Sequence, residues 1–145
     1  MIKKKVIKRC SESDIDFHFS FIDKYINENK DEVIDQMFKA VSEKTAYMVE
    51  DDNCFLYFID IGKKCADCVA LYGKGNPLSV LWLFYEVFKI YHKNIFKLRL
   101  LPHNGINDFK SIVEKSSIRN WHNYKTPLVI RTDRLAEKLI KYYDL

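Results

Sequence analysis

Glycine and proline are scarce in this chain: 145 residues hold four glycines and three prolines. Such a composition excludes a collagen-like repeat and a low-complexity linker, which are built from those residues. Cysteine is equally sparse, with four in all, at Cys10, Cys54, Cys65 and Cys68. Cys65 and Cys68 form a CxxC pair, but no second pair and no HxxxH follows to complete a zinc site. No run approaches the roughly 20 apolar residues that a transmembrane helix needs. The basic N-terminus lacks the apolar stretch and small-residue cleavage site of a signal peptide, so the expected location is the cytoplasm. Charge of one sign is missing too: 24 basic and 20 acidic side chains leave a net +4. The one basic cluster, Lys3-Lys4-Lys5 with Lys8 and Arg9, reads as a solvated first strand, and the modest net charge disfavours a nucleic-acid partner.

What is present is apolar and aromatic. A hydrophobic fraction of 48% with 14% aromatics indicates one packed domain. The abundance of Lys, Ile, Asn, Tyr and Phe suits an AT-rich genome. The CxxC falls inside a predicted strand, where residues three apart face opposite sides. The cysteines therefore read as small hydrophobes in a reducing compartment.

Lys4 to Cys10 predicts a short strand. Ser11-Glu12-Ser13-Asp14 is close to a capping box, and Ile15, Phe19, Ile22 and Ile26 recur at helical spacing, so a helix is expected to about Asn27. Asn29-Lys30 ends it. Asp31 and Glu32 open a second helix with charge of the right sign for its N-terminus. Val33, Ile34, Met37, Phe38 and Val41 form its stripe, and it closes near Glu43. The period then falls to two. Thr45–Val49, Cys54–Ile61 and Cys65–Tyr72 predict three strands joined by turns too short for anything but hairpins.

Gly73-Lys74-Gly75-Asn76 turns the chain, and Pro77 starts a helix to about Lys93. Its residues Leu78, Val80, Leu81, Trp82, Leu83, Phe84, Val87 and Phe88 are apolar over most of the circumference. Such a helix is covered on most sides or packs against a partner chain. Ile95–Leu101 is a strand, so strand, crossover and strand make a parallel unit with Cys65–Tyr72. A short helix from Ile106 to Ser116, strands at Ile118–Tyr124 and Leu128–Arg131, and a last helix capped by Asp133 complete the chain. The expected fold is α+β: a single domain with a mixed, mostly antiparallel sheet flanked by helices.

The order β-α-α-β-β-β-α-β-α-β-β resembles the Gcn5-related N-acetyltransferase (GNAT) superfamily up to about Thr132. KKVIKRCSESDID is similar to that family's first strand and helix start. Ala70-Leu71-Tyr72-Gly73-Lys74-Gly75 is similar to its pyrophosphate-binding pattern, Gln/Arg-x-x-Gly-x-Gly/Ala. Leu98–Asn104 followed by Phe109–Ile118 is similar to its fifth strand, asparagine and fourth helix. The resemblance implies that the fourth and fifth strands splay apart and that acetyl-CoA threads the gap. Gly73, Lys74, Gly75 and Asn76 would hold the pyrophosphate at a helix N-terminus, and Asn104 would lie near the pantetheine arm.

The chain departs from the family at chemically important places. Ala70 replaces the leading Gln/Arg, Pro77 removes an N–H, and Val113 stands where a tyrosine often protonates the leaving thiolate. The strand 65–72 offers only Asp67 as a candidate carboxylate. His103 sits at a strand end beside Asn104, and Trp121 and Tyr124 are candidates for lining an acceptor pocket; each reads more simply as a surface or core residue. Two functions follow from the resemblance. One is direct acetyl transfer from acetyl-CoA to an amine. The other, which the departures favour, is a non-catalytic GNAT-like binding or assembly protein, for example a component packaged in a bacteriophage virion. The apolar helix 77–93 would then serve protein partners or self-association.

Overall fold

The computed structural model of the protein describes residues 6–26, 29–50, 53–73, 83, 97–100 and 128–131. The elements are β1 (Ile7–Arg9), α1 (Glu12–Ile22), α2 (Lys30–Ser42), β2 (Ala46–Val49), β3 (Cys54–Gly62), β4 (Cys65–Tyr72), β5 (Lys97–Leu100) and β6 (Leu128–Arg131). They form a mixed α+β structure. Strands β1 to β4 are successive antiparallel neighbours, α1 and α2 fill the connection between β1 and β2, and β5 and β6 extend the sheet in chain order. The expected strands at 45–49, 54–61 and 65–72 are found within a residue at each end.

Helix α1 starts where the capping signal places it. The Asp14 carboxylate accepts the Ser11 N–H at 2.8 Å and the Ser11 hydroxyl at 3.1 Å, satisfying a donor that the first turn would leave orphaned. It ends earlier than the periodicity suggests. The chain tightens after Ile22 into one 3-10 turn, Asp23–Tyr25, and Ile26 is extended and buried. Apolar spacing registers which side chains reach the core, and Ile26 reaches it from outside the helix.

Helix α2 closes with a Schellman motif: Thr45 N–H donates to Ala40 O at 2.9 Å and Lys44 N–H to Val41 O at 3.1 Å. The C′ position is Lys44, at φ 62. Thr45 then joins helix to sheet, because its buried hydroxyl donates to the carbonyls of Ala40 and Phe58.

Both helices lie on one face of the sheet. Ile15, Ile22, Ile26, Val33, Met37 and Ala40 meet Ala46, Phe55, Tyr57, Ile59 and Ala70 there. The alternate strand residues Tyr47, Leu56, Phe58, Cys68 and Leu71 face the other way and are buried as well, as is Leu83 in the expected third helix. Strands that are apolar on both faces, such as Cys54–Ile59, fit a sheet covered on both sides.

Strand β4 is irregular. Its register with β3 runs Phe55↔Tyr72, Leu56↔Leu71 and Tyr57↔Ala70, then jumps to Phe58↔Cys68, leaving Val69 as an extra residue. A second jump, between Asp60↔Ala66 and Gly62↔Cys65, leaves Ile61 unpaired on β3. Beyond the Val69 bulge β4 pairs in parallel with β5, from Cys65↔Lys97 to Cys68↔Leu100. Parallel neighbours are what the strand–helix–strand reading of 65–101 requires. The expected strand at 118–124 and the helices over 106–116 and from Asp133 lie outside the described residues, as does the helix 77–93 apart from Leu83.

Candidate functional site

Of the residues assigned to cofactor binding, Gly73 is described: it is buried and directly follows the last residue of β4. Lys74, Gly75, Asn76 and Asn104 lie outside the described residues, as do His103, Val113, Trp121 and Tyr124. The strand carrying Gly73 to the end of the sheet bulges at Val69. Bulges recur beside functional sites because they re-aim side chains and interrupt a ladder. Ala70, where the family pattern has Gln or Arg, is fully buried opposite Tyr57 in the core under α1 and α2. A polar side chain there would lose its water without a matched partner.

An aromatic row leads from this strand end into the core. Tyr72 meets Phe21 at 5.0 Å between ring centroids, and Phe21 meets Phe17 edge-on, also at 5.0 Å. On its other side Tyr72 stacks on Phe55 at 5.8 Å, and Phe55 stacks on the His18 imidazole at 4.2 Å. Phe17 is 59% exposed, so the row begins in solvent and ends beneath α1.

At its inner end lies a polar cluster not singled out by the motif reading. His18 Nδ1 is 2.6 Å from the Tyr57 hydroxyl and 3.9 Å from Cys10 Sγ. All three side chains are buried. Burial lowers the His18 pKa to about 4, Asp14 opposing that shift and Lys8 adding to it. The imidazole is therefore neutral at pH 7, and Nδ1 is free to accept the Tyr57 O–H. Burial also pushes the Cys10 thiol up to about 12 and holds Tyr57 protonated well above the ordinary tyrosine range, with Cys10 adding to the latter. The cluster is thus a closed set of neutral groups. The signal for it was present: His18 falls between Ile15 and Ile22 at helical spacing, on the face α1 buries.

Asp67, the candidate carboxylate of β4, is half-buried, opposite Ile59 on β3 and level with Arg99 of β5. Six residues separate it from Gly73, roughly 20 Å along a strand. Burial raises the thiol pKa of the adjacent Cys68, and the Asp67 charge adds to that effect. None of the four cysteines forms a disulfide; Cys65 is half-buried and the others are buried. Among the described residues no group of three or more His, Cys, Asp or Glu side chains is placed to hold a metal ion. No described helix is long and apolar enough to cross a membrane.

No family model, no curated protein and no solved structure matches the chain.

Proposed function

We propose that the chain is a divergent GNAT-fold protein that acts by binding or assembly, for example as a component of a phage particle, and not by acetyl transfer. One observation carries this reading. The acid–base groups under α1, Cys10, His18 and Tyr57, are closed on one another in the core, and a general acid or base must reach the proton it moves. Val113 in place of the family's tyrosine points the same way. The fold order supports the family: two helices between β1 and β2, three antiparallel strands, then a parallel neighbour for β4. On its sequence, the apolar run 77–93 is the segment we assign to partners or to a second copy.

Acetyl-CoA-dependent transfer to an amine is the second reading, favoured by the Val69 bulge and by Gly73 at the end of β4. Calorimetric titration with acetyl-CoA, paired with a mass-spectrometric assay of acetylated amines, separates the two. The binding reading expects no turnover. If millimolar acetyl-CoA raises the melting temperature, Gly75→Trp abolishes the rise and acetylated product accumulates, the protein is an enzyme.

A further inference from the structure

Strand β1 ends the order of the sheet, and its outer edge is open among the described residues. Its ladder with β2 shows which groups that edge carries. Cys10 N–H donates to Ala46 O and Glu50 N–H to Val6 O, each at 2.9 Å, and the register sets Lys8 opposite Met48 midway between them. Bonded and unbonded pairs alternate in an antiparallel ladder, so Val6, Lys8 and Cys10 bond to β2. Ile7 and Arg9 are therefore turned outward, each presenting one N–H and one C=O to the open side. Such a row of alternating donors and acceptors is completed by another extended backbone. A phosphate chain brings acceptors alone and leaves the two carbonyls unmatched.

Charge selects the kind of strand. Lys8 and Arg9 are exposed, with side chains on opposite faces of β1, and neither forms an ion pair among the described residues. The β2 residues across from β1 are Tyr47, Met48 and Val49, with no carboxylate among them. Glu50 lies level with Val6, Glu12 opens α1, and the Asp14 carboxylate is held by Ser11. Against these stand five cations in the first nine residues, and covalent reach keeps Lys3, Lys4 and Lys5 within roughly 11 Å of Val6. A second copy of β1 fits poorly. Two-fold pairing through Ile7 and Arg9 sets Lys8 against Lys8, Arg9 against Arg9, or Arg9 against Lys5 of the other copy, and like charges directly opposite destabilise a sheet. Lysine on a short edge guards against such self-pairing. The same charges attract a strand of opposite sign.

We propose that β1 receives an extended acidic segment of a partner protein, which adds to the sheet as a strand bonded to Ile7 and Arg9 and sets carboxylates against Lys8 and Arg9. The site rests on the β1 edge alone and holds whether or not acetyl-CoA binds at Gly73.

The test combines fluorescence anisotropy and backbone amide exchange on the full chain, with a labelled, end-capped peptide of about ten residues built on Val-Glu-Glu-Val. Binding is expected to slow exchange at the Ile7 and Arg9 N–H groups and to leave Lys8 N–H, already bonded to β2, unchanged. Lys8→Glu/Arg9→Glu reverses two exposed charges, so its melting temperature should stay near the parent's. That variant should bind the acidic peptide at least about tenfold more weakly and prefer a Val-Lys-Lys-Val counterpart. N-methylation of the peptide amides that would face β1 keeps the charge, removes the donors and should abolish binding by the parent. Three results overturn the proposal: no binding of the acidic peptide by the parent at about 1 mM in low salt, equal binding of the N-methylated peptide, or Ile7 and Arg9 amides already slowed without peptide, the mark of a self-paired edge.

Discussion

His18 Nδ1 and the Tyr57 hydroxyl oxygen lie 2.6 Å apart, joining α1 to the middle of β3 in a part of the core closed to water. With the ring neutral, Nδ1 can accept the Tyr57 O–H; a protonated ring can only donate, so protonation adds a buried charge and forces the hydroxyl to accept instead.

Acid should therefore loosen the attachment of α1. The folded pKa of His18 is about 4, against 6.5 for an unperturbed imidazole, so the unfolded chain binds the extra proton first. Stability from this group is complete above pH 6.5 and falls as pH drops toward 4, by about 3 kcal/mol in all at 1.36 kcal/mol per pKa unit. Urea unfolding from pH 7 to 4.5 measures the loss. His18→Leu should lose less over the same interval, leaving only the carboxylate contribution common to both proteins. Equal losses would show that His18 is not buried neutral.

Tyr57→Phe keeps the ring and deletes the hydroxyl. His18 Nδ1 then has only the Cys10 thiol, 3.9 Å away. An unsatisfied buried acceptor costs about 1–3 kcal/mol, and a reduced urea midpoint with unchanged m-value is the expected result. A midpoint equal to that of the parent would mean that water or a rearranged thiol replaces the hydroxyl.

How much of this was legible in the sequence depended on which interaction set each feature. Hydrophobic period placed α2 and strands β2 to β4 within about a residue, because alternate burial leaves its mark on every side chain. The Ser11–Asp14 cap set the start of α1, since its partners are three residues apart. The end of α1 was overestimated because Ile26 keeps helical spacing while lying in extended chain. The Val69 bulge left no mark, as a bulge depends on the partner strand's register. The Cys10–His18–Tyr57 cluster was half legible: the period puts His18 on the buried face of α1, but its bond to Tyr57 spans 39 residues and is set by packing. Gly73 directly follows the last residue of β4, where the strand pattern ending at Tyr72 puts it.

Lys44 occupies the left-handed C′ position of α2, with φ 62, where glycine is the favoured residue. The Schellman bonds from Lys44 and Thr45 use backbone groups alone and survive any substitution that keeps this φ. Lys44→Gly relieves the crowding of Cβ, worth about 1–2 kcal/mol in this region, against up to about 1 kcal/mol for the greater freedom of an unfolded glycine. Compared with Lys44→Ala, which loses the same side-chain interactions, Lys44→Gly is expected to be more stable by up to about 1 kcal/mol in thermal unfolding. Lys44→Val, with its β-branch, should instead destabilise, and the opposite order of the two variants would contradict the assigned backbone geometry.

The cysteines offer a check on the sheet that needs no assumption about function. Cys10, Cys54 and Cys68 are buried, and Cys65 is half-buried at the start of β4. Burial also holds the Cys10 thiol near pKa 12 and raises that of Cys68, so both stay protonated and unreactive in the folded chain. An aromatic disulfide reagent at pH 8 should consume one thiol per chain quickly and the other three only as the protein unfolds. Cys65→Ser should remove the quick phase and leave the slow one intact. Adding guanidinium should bring the slow thiols to the quick rate together, because Cys10 lies under α1 while Cys54 and Cys68 belong to β3 and β4 of the same cooperative sheet. Release of Cys10 ahead of the other two would mean that α1 lifts away before the strands part, which is the behaviour expected on acidification if His18 is the weak point of its attachment.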